Sequence, residues 1–599
     1  MTHKIFSLAL LLVIIYATQN YLMSQNLVAN NHPISHADKV IITTKIYGLL
    51  EKYELKAFTG AIDLKAHFIA IYPQFQQVTD RQSFYIYLTA LLKPFNRSVN
   101  PLEPNLLKVS DKVQYAIVPD FSWIEDERIP KSIRYQLLDI LSSYKPAKRN
   151  ELTIKGKFNI RHSPTYPTGA DSLAMFTLGM IRFWNDVFYY FPYNNLMDES
   201  WTKVLEKEAS RIISAQTIED YYENLMVLAA YMDDSHVHVT INKYQVWAYG
   251  YYTWMTYPIV PKILNDTIYV KGVANREHLK DIQRGDVITH INGIEAKSFL
   301  MQKALSIATS NKYDSIQRLE YRILPNFNHP DLGDSIVFAT INGKAYKLKA
   351  EPINGSDYNK FMNLPNRKSL SKVSEINDSI GYIHLTENTG REVHKAFKAL
   401  SDKKSLILDL RGYPKNSLIK FMARNLSNKA IPVTSYYYPD YNYPGYFKNY
   451  TKNVTYYISN NLDFMLAALS QSKGKIFPSF RKPYAGKLVV LIDEKAISYS
   501  ETIGMIIKSY RPDAVFVGRP SNGANGDVTE IKLPYNISVS MSGLHCHFAD
   551  GSQLQRVGLQ PDHQVERSYA EVIYNEDKIL ERALEIIKET KASKSNKLN

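Results

Sequence analysis

Between residues 379 and 518 the sequence alternates short apolar runs with stretches of helical spacing, and this order narrows the available folds more than any other feature. IGYIHL, KSLILDLRG, LVVLIDE and AVFVGRP each read as a strand buried on both faces. VHKAFKAL, NLDFMLAAL and TIGMIIKSY read as the intervening helices. Strands joined through helices pair in parallel and need both faces covered. Residues 379–585 are therefore expected to form an α/β core with a mostly parallel sheet, and chemistry is expected near the carboxyl ends of its strands.

A chain of 599 residues exceeds what one hydrophobic core needs, so further units are expected upstream. IYGLLEKY, LKAHFIAIYPQF and SFYIYLTALLKPF show helical periodicity, and with the β-prone VQYAIVP they define an N-terminal helical and β unit over 30–165. A second helical unit over 170–245 contains IRFWNDVFYYFPYNN, SWTKVLEKEASRII and IEDYYENLMVLAAYMDD. The two trios read equally well as a duplicated module or as coincidence between amphipathic helices. Residues 246–315 are β-rich, with ILNDTIYVKGV supplying alternating apolar positions and Asn292-Gly293 a hairpin turn. A β-rich connector over 316–378 leads to the core, and 586–599 reads as a polar tail.

Lys4 is followed by an apolar run from Ile5 to Ala17, shorter than the roughly 20 residues of a membrane-spanning helix. Residues 1–25 are expected to be a signal peptide or N-terminal anchor, with no integral membrane domain beyond them. The protein is thus expected outside the cytoplasm, in a periplasm, at an envelope or secreted. Cys546, the single cysteine, excludes an internal disulfide, a cysteine-based metal site and a thiol redox pair, and is expected to be a buried small hydrophobe. The net charge of +14 is scattered along the chain, so no nucleic-acid partner is expected. The 44 tyrosines suit a carbohydrate or peptide groove or ordinary half-buried packing.

The RGDVITHING segment resembles the core of a PDZ-like domain, a module that takes a peptide onto a sheet edge. After LVVLIDE comes KAISYSETIGMIIKSY, a serine-bearing turn between a buried strand and a helix. Such a turn exposes a hydroxyl beside unpaired amides, as nucleophilic attack requires. On residue chemistry alone Ser498 is equally a helix cap with Glu501 completing a capping box. The longer stretch IDEKAISYSETIGMIIKSYRPDAVFVGRPSNG resembles the S41-type serine peptidases, the C-terminal-processing and tricorn-type enzymes, through its Ser-x-Ser-Glu unit and the Gly-rich loop beyond the next strand. The resemblance implies that Ser498 is the nucleophile. It also makes the Ser-His pair of MDDSHVHV a tricorn-type pair, with His236 as general base and Ser235 as its neighbour in the relay. His238 competes for that role and, were the segment a strand, would share a side with His236.

Several positions depart from the family pattern. The lysine that serves as base in C-terminal-processing enzymes falls near Ala524, and no lysine occurs between Lys508 and Lys532. The family glutamate before Gly-hydrophobe-x-Pro-Asp, here Gly558-Leu559-Gln560-Pro561-Asp562, is replaced by Gln555. Glu501 and Asp527 are the nearest acidic substitutes by sequence. The strand-loop ILDLRGYPKN keeps Gly412 but places Lys415 and Asn416 where the family has glycines. The oxyanion hole is then assigned to amides near Gly412, Lys415 and Tyr499, with Asp409 and Arg411 tying the loop.

The expected function is that of a serine-type peptidase acting through an acyl-enzyme on Ser498, with a peptide or protein, or its C-terminal tail, as substrate and with no metal or organic cofactor. A catalytically silent peptide-binding protein and a carbohydrate-binding or processing protein are the alternatives. The peptidase reading asks His236 to come within hydrogen-bond reach of Ser498, about 2.6–3.2 Å or somewhat longer without substrate.

Overall fold

The computed structural model describes residues 32–95, 115–117, 119–144, 166, 169, 171–241, 253–273, 279–323, 335–349, 351–354, 370–415, 418–426, 433–440, 443–449 and 482–595. The expected signal peptide at 1–25 and the expected helix NLDFMLAAL lie outside these residues.

The C-terminal sheet runs in the order Val373–Asn377, Ile380–His384, Ser405–Asp409, Lys487–Ile492, Val515–Gly518, His563–Gln564. Its first pair is antiparallel and every later pair parallel, the mixed, mostly parallel sheet that the apolar runs imply. Alternation sends Leu406, Leu408, Leu488, Val490 and Ile492 to one face, where they pack with Val393, Met422 and Ile503 from helices Gly390–Ala399, Leu418–Leu426 and Tyr499–Tyr510. Ile407, Val489, Leu491 and Val517 go to the other face, against Ile579, Ala583, Ile586 and Ile587. These last residues belong to helix Lys578–Ser595, which corrects the reading of 586–599 as a polar tail. The apolar positions repeat at helical spacing across residue 586, and their burial under the sheet carries the helix on.

The helical trios on either side of residue 165 share one core. Ile46, Leu50, Phe68 and Leu88 pack in the same cluster as Leu178, Trp184, Leu205 and Leu225, joined by Ile531, Val539 and Met541 from the far end of the chain. A division between 165 and 170 therefore does not separate two cores. Inside this cluster Lys52 reaches Asp186 at 2.7 Å and Arg182 reaches Glu51 at 3.0 Å, buried ion pairs linking helices His36–Tyr53 and Ser172–Tyr190. Many tyrosines are consumed here: Tyr47, Tyr53, Tyr87, Tyr193 and Tyr221 are fully buried, so packing accounts for them and a surface groove does not.

The central β-rich region holds an antiparallel sheet in the order Ile259–Leu264, Thr267–Val273, Val287–Ile291, Ser335–Thr340, Ala345–Lys349, with Ile294–Glu295 paired to its third strand, and a separate pair, Thr253–Thr256 with Glu351–Asn354. Ser335–Thr340 and Ala345–Lys349 fall in the expected connector, so a boundary at 315 would cut their sheet. The structure also breaks ILNDTIYVKGV at Asn265-Asp266, where both residues have positive φ and turn two paired strands, an Asx-rich signal that alternation had masked. Asn292-Gly293 makes the expected tight turn, with φ of 50° and 78°.

Gly518 ends a central strand at φ 133°, where an added Cβ would stand 2.0 Å from the Ile492 carbonyl oxygen of the neighbouring strand. Gly518→Ala is expected to lower stability by roughly 3 kcal/mol or more, read as the denaturation midpoint, since both backbone strain and a clash oppose it. An unchanged midpoint would mean that the strand end does not need this conformation.

Candidate functional site

Strand Lys487–Ile492 is buried to its end, and the chain then turns through 493–498 into helix Tyr499–Tyr510. Ser498 takes φ 55° and ψ −109°, a strained conformation for a residue with a side chain. Its N–H is bound by the Ala524 carbonyl at 2.9 Å and by Oε2 of Glu501 at 3.1 Å. The other Glu501 oxygen accepts from the Ser521 hydroxyl at 2.5 Å and the Gly523 N–H at 2.7 Å. Glu501 thus fastens the turn to the Gly-rich loop and makes no hydrogen bond to His236. Burial pushes its carboxyl up to about 8 although those hydrogen bonds oppose the shift. Ser500 is buried with its hydroxyl on the Leu410 carbonyl at 3.1 Å, whereas Ser498 is only half-buried. Ala524, where the resemblance puts the lysine base, is buried beneath the elbow.

His236 sits in a turn between helix Ile218–Ala230 and strand His238–Ile241, closed by a bond from the Val237 N–H to the Asp234 carbonyl. Because the strand starts only at His238, the two histidines do not alternate as strand neighbours: His236 is buried and His238 exposed. The His236 Nδ1 lies 2.8 Å from the Ser542 hydroxyl, and that hydroxyl donates to Oδ1 of Asp234 at 2.9 Å. Burial lowers the imidazole's pKa, with Arg318 adding to the shift while the charges of Asp234 and Asp314 oppose it. No hydrogen bond joins His236 to Ser498 among the described residues; His236 and Ile497, the residue before Ser498, line one cavity of about 590 Å³.

Ser235, expected beside the imidazole, turns instead to helix Lys312–Ile323. Its hydroxyl donates to Asp314 at 2.6 Å and accepts from the Ser310 N–H at 2.8 Å. Gln555 is buried and donates from Nε2 to Oδ1 of Asp234 at 3.1 Å, and among the described residues no hydrogen bond joins it to the imidazole. Asp527 is exposed. Asp234 and Ser542, the residues that do meet around His236, carry no motif that would single them out in the sequence. The two lie 308 positions apart in the chain and come together because strand Ile537–Ser542 pairs with His238–Ile241. Only the acidic pair before Ser235 offered a local signal.

At the residues expected to form the oxyanion hole, the Tyr499 N–H has no hydrogen-bond partner among the described residues, and Gly412 turns at φ 106°. Lys415 is exposed, and Asn416 lies outside the described residues. The Tyr499 hydroxyl accepts from the Leu418 and Ile419 N–H groups at 3.0 and 3.2 Å, capping the helix that follows the Gly412 loop. Arg411 grips Asp409 and also binds Asp577 at 2.7 Å, so this pair ties the loop to the C-terminal helix. Cys546 is buried, its thiol pushed up to about 12 by that burial, as suits a packing residue and not a nucleophile. No cluster of metal-ligating side chains occurs among the described residues.

Residues 379–565 match the profile of Peptidase family S41. No curated protein sequence matches the chain. Among solved structures, mature CPAF complexed with lactacystin is similar at a TM-score of 0.50 and 12% identity, over 69% of this chain and 97% of that one. Mature CPAF follows at 0.47 and 13%, over 67% of this chain and 94% of that one. The tricorn protease stands at 0.34 and 14%, over 70% of this chain and 37% of that one. The family match coincides with the parallel sheet and the Ser498 elbow: residues 379–565 are similar in fold to the S41 peptidases.

Proposed function

We propose that the protein is a serine-type peptidase that cleaves peptide bonds outside the cytoplasm through an acyl-enzyme on Ser498. The observation that carries this reading is the strained backbone of Ser498, at the mouth of a helix and held by two acceptors on its own N–H. A cap alone does not require that conformation, whose cost is on the order of 1–3 kcal/mol. It leaves the Tyr499 amide beside Ser498 at the helix mouth.

In this mechanism His236 accepts the Ser498 proton at Nε2 as Oγ bonds to the substrate carbonyl carbon. The oxyanion is met by the Tyr499 N–H and by amides of the Gly412–Lys415 loop. Collapse breaks the C–N bond, and His236 returns the proton to the departing amine. Water, deprotonated by the same imidazole, then attacks the acyl carbon; the ester C–O bond breaks and the imidazolium returns the proton to Ser498 Oγ. Catalytic hydrogen bonds tighten in the substrate complex, which is where His236 and Ser498 are to meet. The central sheet, as a PDZ-like module, would seat a peptide tail.

The second reading is a silent peptide-binding protein of the same fold. It is favoured by the missing His236–Ser498 bond, by Gln555 in place of a carboxylate and by Ala524 in place of lysine. Fluorophosphonate labelling of the folded protein separates the two. We expect an adduct on Ser498 that is lost in Ser498→Ala and slowed about 10²–10⁴-fold in His236→Ala. Absence of labelling in folded protein would leave the silent reading.

The pH profile carries a second expectation. A base acts only when neutral, and the imidazole's pKa is lowered by burial, so the acid limb of labelling should fall below the ordinary histidine value of 6.5. A limb at or above 6.5 would contradict the buried site.

A third expectation concerns the elbow. Glu501 has a folded pKa of about 8 against an ordinary 4.5, so its contribution to stability is fully present below 4.5 and is lost as pH rises through about 8. Wild-type Tm should therefore fall relative to that of Glu501→Gln across this window. Parallel Tm profiles would show that the carboxyl does not titrate there.

A further inference from the structure

The family acid is missing at Gln555, yet a carboxylate still reaches the imidazole through one intervening hydroxyl. Oδ1 of Asp234 accepts from the His236 backbone N–H at 3.1 Å, the Ser542 hydroxyl at 2.9 Å and Gln555 Nε2 at 3.1 Å. Oδ2 accepts from the Ser542 N–H at 2.6 Å. All these groups are buried, and the ring lies 2.8 Å from the Ser542 oxygen. We propose that Asp234, acting through the Ser542 hydroxyl, is the positioning acid of His236, and that Gln555 has become a donor that holds this carboxylate in place.

The argument is one of proton direction. A carboxylate only accepts, so the Ser542 hydrogen points to Asp234. The Ser542 oxygen then offers a lone pair to the ring, which fixes the proton of neutral His236 on Nδ1 and leaves Nε2 bare. That is the tautomer a general base for Ser498 needs. The relay also accounts for the glutamine: a glutamate at 555 would set a second carboxylate 3.1 Å from the first, where like charges cannot both be ionised, while an amide donates. Lys303, Glu494 and Lys495 line the same cavity as the ring, and the charges that act on its titration besides Asp234 come from helix Lys312–Ile323. Asp314 binds the Ser235 hydroxyl and Arg318, and Arg318 also binds the Ser235 carbonyl, so both are engaged away from Nδ1.

This inference rests on the Ser498–His236 reading, and its test separates the two. In full-length protein, the labelling rate at Ser498 is measured against pH in wild type, Ser542→Ala, Ser542→Thr, Asp234→Asn and Gln555→Glu, with Tm as the folding control. The His236 tautomer is read by ¹⁵N NMR in wild type and Ser542→Ala. We expect Nδ1–H in wild type and its loss in Ser542→Ala, together with labelling slowed 10²-fold or more in Ser542→Ala and Asp234→Asn. Ser542→Thr should keep most of the rate. Gln555→Glu should slow labelling, and Asp234→Asn should move the acid limb to lower pH because the charge that raises the His236 pKa is gone.

Wild type that labels while Ser542→Ala labels equally fast, or Gln555→Glu that labels faster, would overturn the relay and leave the peptidase reading intact. Nε2–H in wild type would overturn the relay by itself. Should Asp234→Asn fail to fold, Ser542→Ala and the wild-type tautomer decide the matter. A folded wild type that never labels would end the peptidase reading, and with it the catalytic role of the relay.

Discussion

The elbow at Ser498 depends on one buried carboxyl. Glu501 lies one turn into the helix, yet its two oxygens gather the Ser498 N–H, the Ser521 hydroxyl and the Gly523 N–H. That set of bonds holds a side-chain-bearing residue at φ 55° and presses the loop 521–524 against the turn. A carboxyl so placed loses its water, which is why its proton affinity rises, and the strain it sustains has to be over-determined by its surroundings. The parallel sheet supplies the rigid support: strand Lys487–Ile492 is buried on both faces and delivers the turn at its carboxyl end.

A second buried carboxylate does the corresponding work on the other side of the cavity. Asp234 joins a turn of the helical region to the end of strand Ile537–Ser542 and to Gln555, so three distant parts of the chain converge on its carboxylate. The pairing of His238–Ile241 with that strand makes the helical region and the C-terminal part share one core. The site is thus a product of the union between these units.

Particular residues show how far the sequence could be read. The apolar runs between 379 and 518 gave the central strands and their parallel order because a strand covered on both faces has no polar side to display. Ser498 was legible because a strand, a small turn and a helix follow within a few residues. The relay around His236 was not: Ser235 was the sequence neighbour, but the chain there is a turn and its hydroxyl points to Asp314, while Ser542 supplies the contact. The boundary at 315 went astray because sheet membership is settled by pairing partners, and local alternation is silent about them.

What the sequence by itself determined is local: which stretches are strands buried on both faces, where the elbow serine stands, and that one cysteine cannot build a disulfide. Periodicity and turn chemistry act over a few residues and are written in order along the chain. The tertiary structure alone decided that two helical trios make one core, that a helix burying Ile586 and Ile587 runs on past them, and that Ser542 meets His236 while Gln555 meets Asp234. Those outcomes depend on strand pairing and helix packing across hundreds of positions, where free energy comes from excluding water between surfaces that carry no mark of their partner.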